Sequence, residues 1–242
     1  MKTQQWVIGA TVVVLAAAGG FWLQRSLSDG STLIPDTTPI VPPPELAQEA
    51  GSGDESATGA DQSAAPRRTI PETLPAITLP DREGKPRALS EWQGRPLIVN
   101  FWATWCGPCR EEIPLLKTLR TERAADGLEV IGIAIDTEAE VLKYAQEIGM
   151  DYPILIGEKE GYEAAEAFGV SLVLPFSVFS DRQGRIVALK VGELHADEAA
   201  YILDRVRDVD AKQMDLTAAR EQIADKMREL AIERGKQRAQ NG

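Results

Sequence analysis

Histidine is nearly missing from this 242-residue chain, with His195 the only one, and there are two cysteines. That excludes a His-rich metal site and a disulfide-stapled scaffold. No excess of basic charge is present either. The formal net charge is −11 and the pI about 4.7, the opposite of the cationic footprint of a nucleic-acid binder. Aromatic residues are absent between Trp22 and Trp92, so that stretch has little with which to build a core. What is present, 43% hydrophobic and 26% charged residues, is the composition of an ordinary globular domain.

The longest apolar run is the 18 residues from Trp6 to Leu23. A cleaved signal peptide and a membrane anchor both fit, the first with Ala16, Ala17 and Ala18 as a cleavage region. Trp6 and Trp22 at the two ends, where interfacial aromatics sit, point to the anchor. Residues 1–27 are therefore read as an N-terminal anchor in a lipid bilayer. Residues 28–70 are read as a disordered Pro/Ser/Ala/acidic tether. Either reading of the first segment sends the rest of the chain out of the cytoplasm.

From residue 71 the pattern is that of an α/β domain, extending to 208. Ala76–Leu79 and Pro86–Leu89, around a turn at Asp81–Gly84, predict an N-terminal hairpin. Pro96–Trp102 and Leu128–Ile135 read as strands buried on both faces. Helices are expected over Gly107–Arg123, kinked at Pro114, and over Glu138–Ile148 and Gly161–Phe168. Phe176–Phe179 and Arg185–Val191 form a second hairpin, and a helix starts near Asp197. The order predicts a mixed central sheet with helices on both faces. In the tail, 209–242, Leu216, Ile223, Met227 and Leu230 recur at helical spacing. That helix could dock on the domain, meet a partner, or stand in solvent; the pattern does not choose.

The chemistry lies in Trp105-Cys106-Gly107-Pro108-Cys109, which ends a buried strand and opens a helix. Structural zinc requires four ligands, and no second cysteine pair accompanies this one. A structural disulfide closing so short a loop would add little stability. A redox pair fits better. The partial positive charge of a helix N-terminus favours the Cys106 thiolate. Cys106 is then the exposed nucleophile and Cys109 the buried resolving thiol. No metal and no cofactor is implied.

Residues 100–114, NFWATWCGPCREEIP, resemble the active-site stretch of thioredoxin-like proteins, and more narrowly that of the membrane-anchored TlpA/ResA group of thiol–disulfide oxidoreductases. The resemblance covers residues 71–208, including the hairpin and the central βαβ insertion. It implies a thioredoxin-like fold and further site positions. Pro175, after Leu174, matches the family's cis-proline, which faces the cysteines beside a backbone edge that pairs with substrate. Glu112 matches an acid near the sulfurs. Trp105 flanks the pair and is placed with Leu174 and Pro175 as substrate-binding. Asn100 departs from cytoplasmic thioredoxins, which carry an acid there, so proton transfer falls to Glu112 or water. Glu112 itself is expected on the helix surface.

The resemblance further implies disulfide-bearing protein substrates, including apocytochrome c, a membrane thiol protein as electron donor, and a site of action in the periplasm or otherwise outside the cytoplasm. A disulfide-forming oxidase and a copper(I)-binding module using the same cysteines remain open on the sequence alone.

Overall fold

A computed structural model describes residues 70–171 and 173–241. The anchor, and all of the tether except Ile70, lie outside the described residues. Two short strands, β1 (Thr78–Pro80) and β2 (Pro86–Ala88), pair antiparallel as the N-terminal hairpin. The main sheet has five strands: β3 (Leu97–Trp102), β4 (Glu129–Ala134), β5 (Ile154–Ile156), β6 (Phe176–Ser180) and β7 (Ile186–Val191). Their order is β5-β4-β3-β6-β7. β3, β4 and β5 run parallel, and β6 and β7 are antiparallel to their neighbours.

The helices are α1 (Gly107–Glu122), α2 (Glu138–Glu147), α3 (Lys159–Ala167), α4 (Ala196–Asp210) and α5 (Leu216–Asn241). β5 was not foreseen. Its three residues form an apolar run too short to show a period, placed just after Pro153. α1 runs unbroken through Pro114.

Alternation along β3 divides the core. Ile98 and Trp102 face one cluster with α1, α2, α4 and α5, while Val99 and Phe101 face a second with the hairpin and α3. Every residue of β3 and β4 is buried, as expected for strands covered on both sides. Both hairpin turns use one device. Asp81 Oδ1 accepts the backbone N–H groups of Glu83 and Lys85, and Asp181 Oδ1 accepts those of Gln183 and Arg185. The glycine three residues on from each aspartate, Gly84 and Gly184, has φ near +74°, a region open to glycine at no steric cost.

α5 docks on the domain. Ala219, Ile223 and Leu230 are buried, and Arg220 donates twice to the carbonyl of Ile186 in β7, at 2.6 and 3.0 Å.

Candidate active site

Central strand β3 leads through Ala103–Trp105 into α1, so the cysteines stand past the end of the central strand and at a helix start together. Asp136, after β4, holds that connection. Its Oδ2 accepts Thr104 N–H at 3.1 Å and Thr104 Oγ1–H at 2.5 Å. Cys106 is the N-cap of α1 and Pro108 sits in the first turn, where its missing N–H costs nothing. Cys106 and Cys109 are joined by a disulfide with a Cα–Cα distance of 5.3 Å. The order of exposure is as expected but not its degree: Cys106 is 6% accessible and Cys109 fully buried. The Cys106 Sγ, tied to Cys109, also accepts the Cys109 N–H at 3.3 Å.

Glu112 is one helical turn beyond Cys109, on the same face of α1. It is not on the helix surface: it is 2% exposed. One carboxylate oxygen accepts from Asn100 Nδ2 at 2.6 Å, the other from the Leu194 backbone N–H at 2.7 Å. Asn100 Nδ2 also donates to Ser177 Oγ at 3.1 Å, across the β3–β6 register that pairs the two residues.

Burial pushes the Glu112 carboxyl up to about 7. The bonds from Leu194 and Asn100 oppose that rise, Glu193 adds to it, and Lys190 opposes it. A carboxyl that titrates near neutrality is suited to proton transfer at ordinary pH. Asn100 remains neutral whatever the state of Glu112, so this strand position adds no charge beside the acid.

On the other side of the cysteines, the Leu174–Pro175 peptide bond is cis. The register that sets Phe101 opposite Phe176 brings Pro175 to the end of the sheet where β3 runs out toward Cys106. Trp105 is 65% exposed. With Ile135, Tyr162, Val173, Leu174 and Phe176 it lines an apolar groove of about 300 Å³. The floor is fixed by stacking of Phe176 on Phe101, centroids 4.2 Å apart.

The structure thus gathers the six predicted positions at one end of the sheet, in two groups: Cys106, Cys109 and Glu112 along α1, and Trp105 and Leu174 in the groove beside Pro175. Ser177, Leu194 and Asp136 were missed. Leu194 acts through its backbone, which leaves no side-chain signature. Ser177 was visible only as the second residue after Pro175.

The Redoxin family profile matches residues 71–203. The chain belongs to the Redoxin family. It is 27% identical over 139 residues to the thiol-disulfide oxidoreductase ResA of Geobacillus thermodenitrificans, covering 57% of this chain and 78% of that protein. Among solved structures, a putative thiol:disulfide interchange protein DsbE from Chlorobium tepidum superposes with a TM-score of 0.51 at 26% identity, over 57% of this chain and 94% of that one. A secreted thiol-disulfide isomerase from Corynebacterium glutamicum gives 0.51 at 26% identity, over 56% and 85%. Fold, cysteine pair and relatives together support thiol–disulfide oxidoreductase chemistry. The resemblance of residues 100–114 to the TlpA/ResA group agrees with all three.

Proposed function

We propose that this Redoxin-family chain reduces disulfides in protein substrates outside the cytoplasm. The observation that carries the reading is the Cys106–Cys109 pair at the start of α1 with the buried, near-neutral Glu112 one turn on. In the reduced enzyme the Cys106 thiolate attacks one sulfur of the substrate disulfide. A mixed disulfide forms and the other substrate sulfur leaves as a thiolate, which takes up a proton. Glu112 accepts the Cys109 proton. The Cys109 thiolate then attacks Cys106 Sγ, and the second substrate thiolate departs. Two electrons have passed to the substrate, and the enzyme holds the disulfide seen here.

The Pro175 carbonyl already accepts the Gly192 N–H at 2.8 Å. Pairing with an extended substrate strand therefore falls to the backbone before it, at Val173 and Leu174, next to the Trp105 groove. Apocytochrome c awaiting haem attachment is the substrate the resemblance favours, and a membrane thiol protein the electron donor. The apolar run within residues 1–27 supports a single-pass anchor. Among the described residues no helix is long and apolar enough to cross a membrane.

The test is insulin reduction by the full chain with dithiothreitol as donor, joined to trapping. Cys106→Ser abolishes turnover and Cys109→Ser accumulates mixed disulfides. Full activity in Cys106→Ser overturns the assignment. A reduction potential nearer that of a general reductant, about −270 mV, than that of a strong oxidant, about −120 mV, supports reduction over disulfide formation.

A further inference from the structure

We propose that Arg234, on the C-terminal helix α5, is a positioning residue for the active-site acid: through Glu198 it holds the Glu193–His195 turn where Leu194 N–H reaches Glu112. The proposal rests on the reading of Glu112 as the group that handles the Cys109 proton.

The chain of contacts is continuous. Arg234 Nη1 lies 2.7 Å from Glu198 Oε1, and Nη2 lies 2.5 Å from Asp197 Oδ1. Glu198 is 2% exposed, and a carboxylate taken out of water needs both charge and hydrogen-bond partners. Its Oε1 also meets Lys190 Nζ at 3.3 Å. Its Oε2 accepts the His195 backbone N–H at 3.1 Å, fixing the entry to α4. The residue before His195 is Leu194, whose N–H donates to Glu112 at 2.7 Å. One cation on α5 therefore braces the turn that delivers a hydrogen bond to Glu112. α5 begins at Leu216, beyond the segment matched by the family profile.

The direction of its effect follows from the groups around Glu112. These are Asn100 and Ser177 from β3 and β6, Lys190 from β7, and Glu193 from the turn, with His195 3.6 Å from Glu193. Tyr152, which precedes β5, also feels the Glu112 charge, and the cysteines share its helix. Without Arg234, Glu198 keeps Lys190 as its one cation. Lys190 is then drawn away from Glu112, and the turn carrying Leu194 loosens. Both changes disfavour the ionised carboxyl, so its titration moves upward from about 7.

The experiment uses the full chain with 13C-labelled glutamate carboxyls. Glu112 is followed by NMR against pH and assigned through Glu112→Gln, and the pH profile of mixed-disulfide resolution is measured alongside. Arg234→Gln raises the Glu112 midpoint by about half a unit to one unit, and the resolution profile shifts with it. Arg234→Lys restores most of the wild-type midpoint. Arg220→Gln cuts a different anchor of α5, at Ile186 and Glu72, and leaves the midpoint in place. A midpoint unmoved in Arg234→Gln, or moved as far in Arg220→Gln, overturns the proposal. If Glu112→Gln leaves the resolution profile unchanged, the role of Glu112 falls and the proposal with it. If Glu112→Gln flattens that profile while Arg234→Gln does not shift it, the proposal alone falls.

Discussion

Asn100 Nδ2 donates to Glu112 Oε1 at 2.6 Å, joining the central strand to the catalytic helix inside the protein. Burial of that carboxyl makes stability depend on pH in a defined direction. The Glu112 carboxyl titrates near 7 when folded against 4.5 as its ordinary value. The folded protein therefore binds more protons than the unfolded chain between those values, and stability falls as pH rises through that window. Full loss of this stabilisation, about 3 kcal/mol, is reached above pH 7. Chemical denaturation of the oxidised protein at pH 4.5 and pH 8 checks this. Glu112→Gln is the less stable protein at acid pH, because the amide satisfies Leu194 N–H and Asn100 less well. Its deficit shrinks as pH rises. A deficit that stays constant between the two pH values shows that folding leaves the Glu112 carboxyl at its ordinary value.

How much of this was readable in the sequence depends on which chemistry carries each feature. The buried strands, the redox pair and the Asp-Arg-x-Gly turns are local patterns, and they stand where they were expected. The burial of Glu112 is not local. It depends on the turn at Leu194, 82 residues away, and Glu111 and Glu112 look alike until that turn closes over one of them. Glu129 shows the same limit. It is a charge within a strand of otherwise apolar pattern, kept there by Arg95 at 2.8 Å and Arg120 at 2.5 Å. The tail was readable as a helix but its docking was not. Ala219 is a core residue of α5, and alanine announces no side.

Gly132 reports on how tightly β4 is covered. A Cβ there would stand 2.8 Å from Trp102 Nε1 and 3.2 Å from Tyr152 Cε2. Trp102 and Tyr152 are large, fully buried side chains, so neither has room to swing away. Gly132→Ala is expected to lower the unfolding free energy by about 1–3 kcal/mol, as overpacking of a filled core does. Thermal or denaturant unfolding at fixed pH measures it. An unchanged midpoint shows that this layer yields more readily than its burial implies.

Trp105 separates substrate capture from thiol chemistry. It is exposed, makes one wall of the groove with Tyr162 and Val173, and lies next to Cys106 without belonging to the core. Trp105→Ala is therefore expected to change stability by less than about 0.5 kcal/mol. Toward a protein disulfide, kcat/KM should fall about tenfold, the worth of roughly 1.4 kcal/mol of lost aromatic contact. The rate at which dithiothreitol reduces the Cys106–Cys109 disulfide should stay within about twofold, because so small a reagent gains little from an apolar wall. Tyr162→Ala, at the groove residue that α3 contributes, should repeat the pattern more weakly. Stopped-flow tryptophan fluorescence follows the dithiothreitol reaction in Tyr162→Ala, and thiol quantification replaces it in Trp105→Ala. An equal loss toward dithiothreitol and toward protein in both variants would show that these residues tune the cysteines themselves and that the groove holds no substrate.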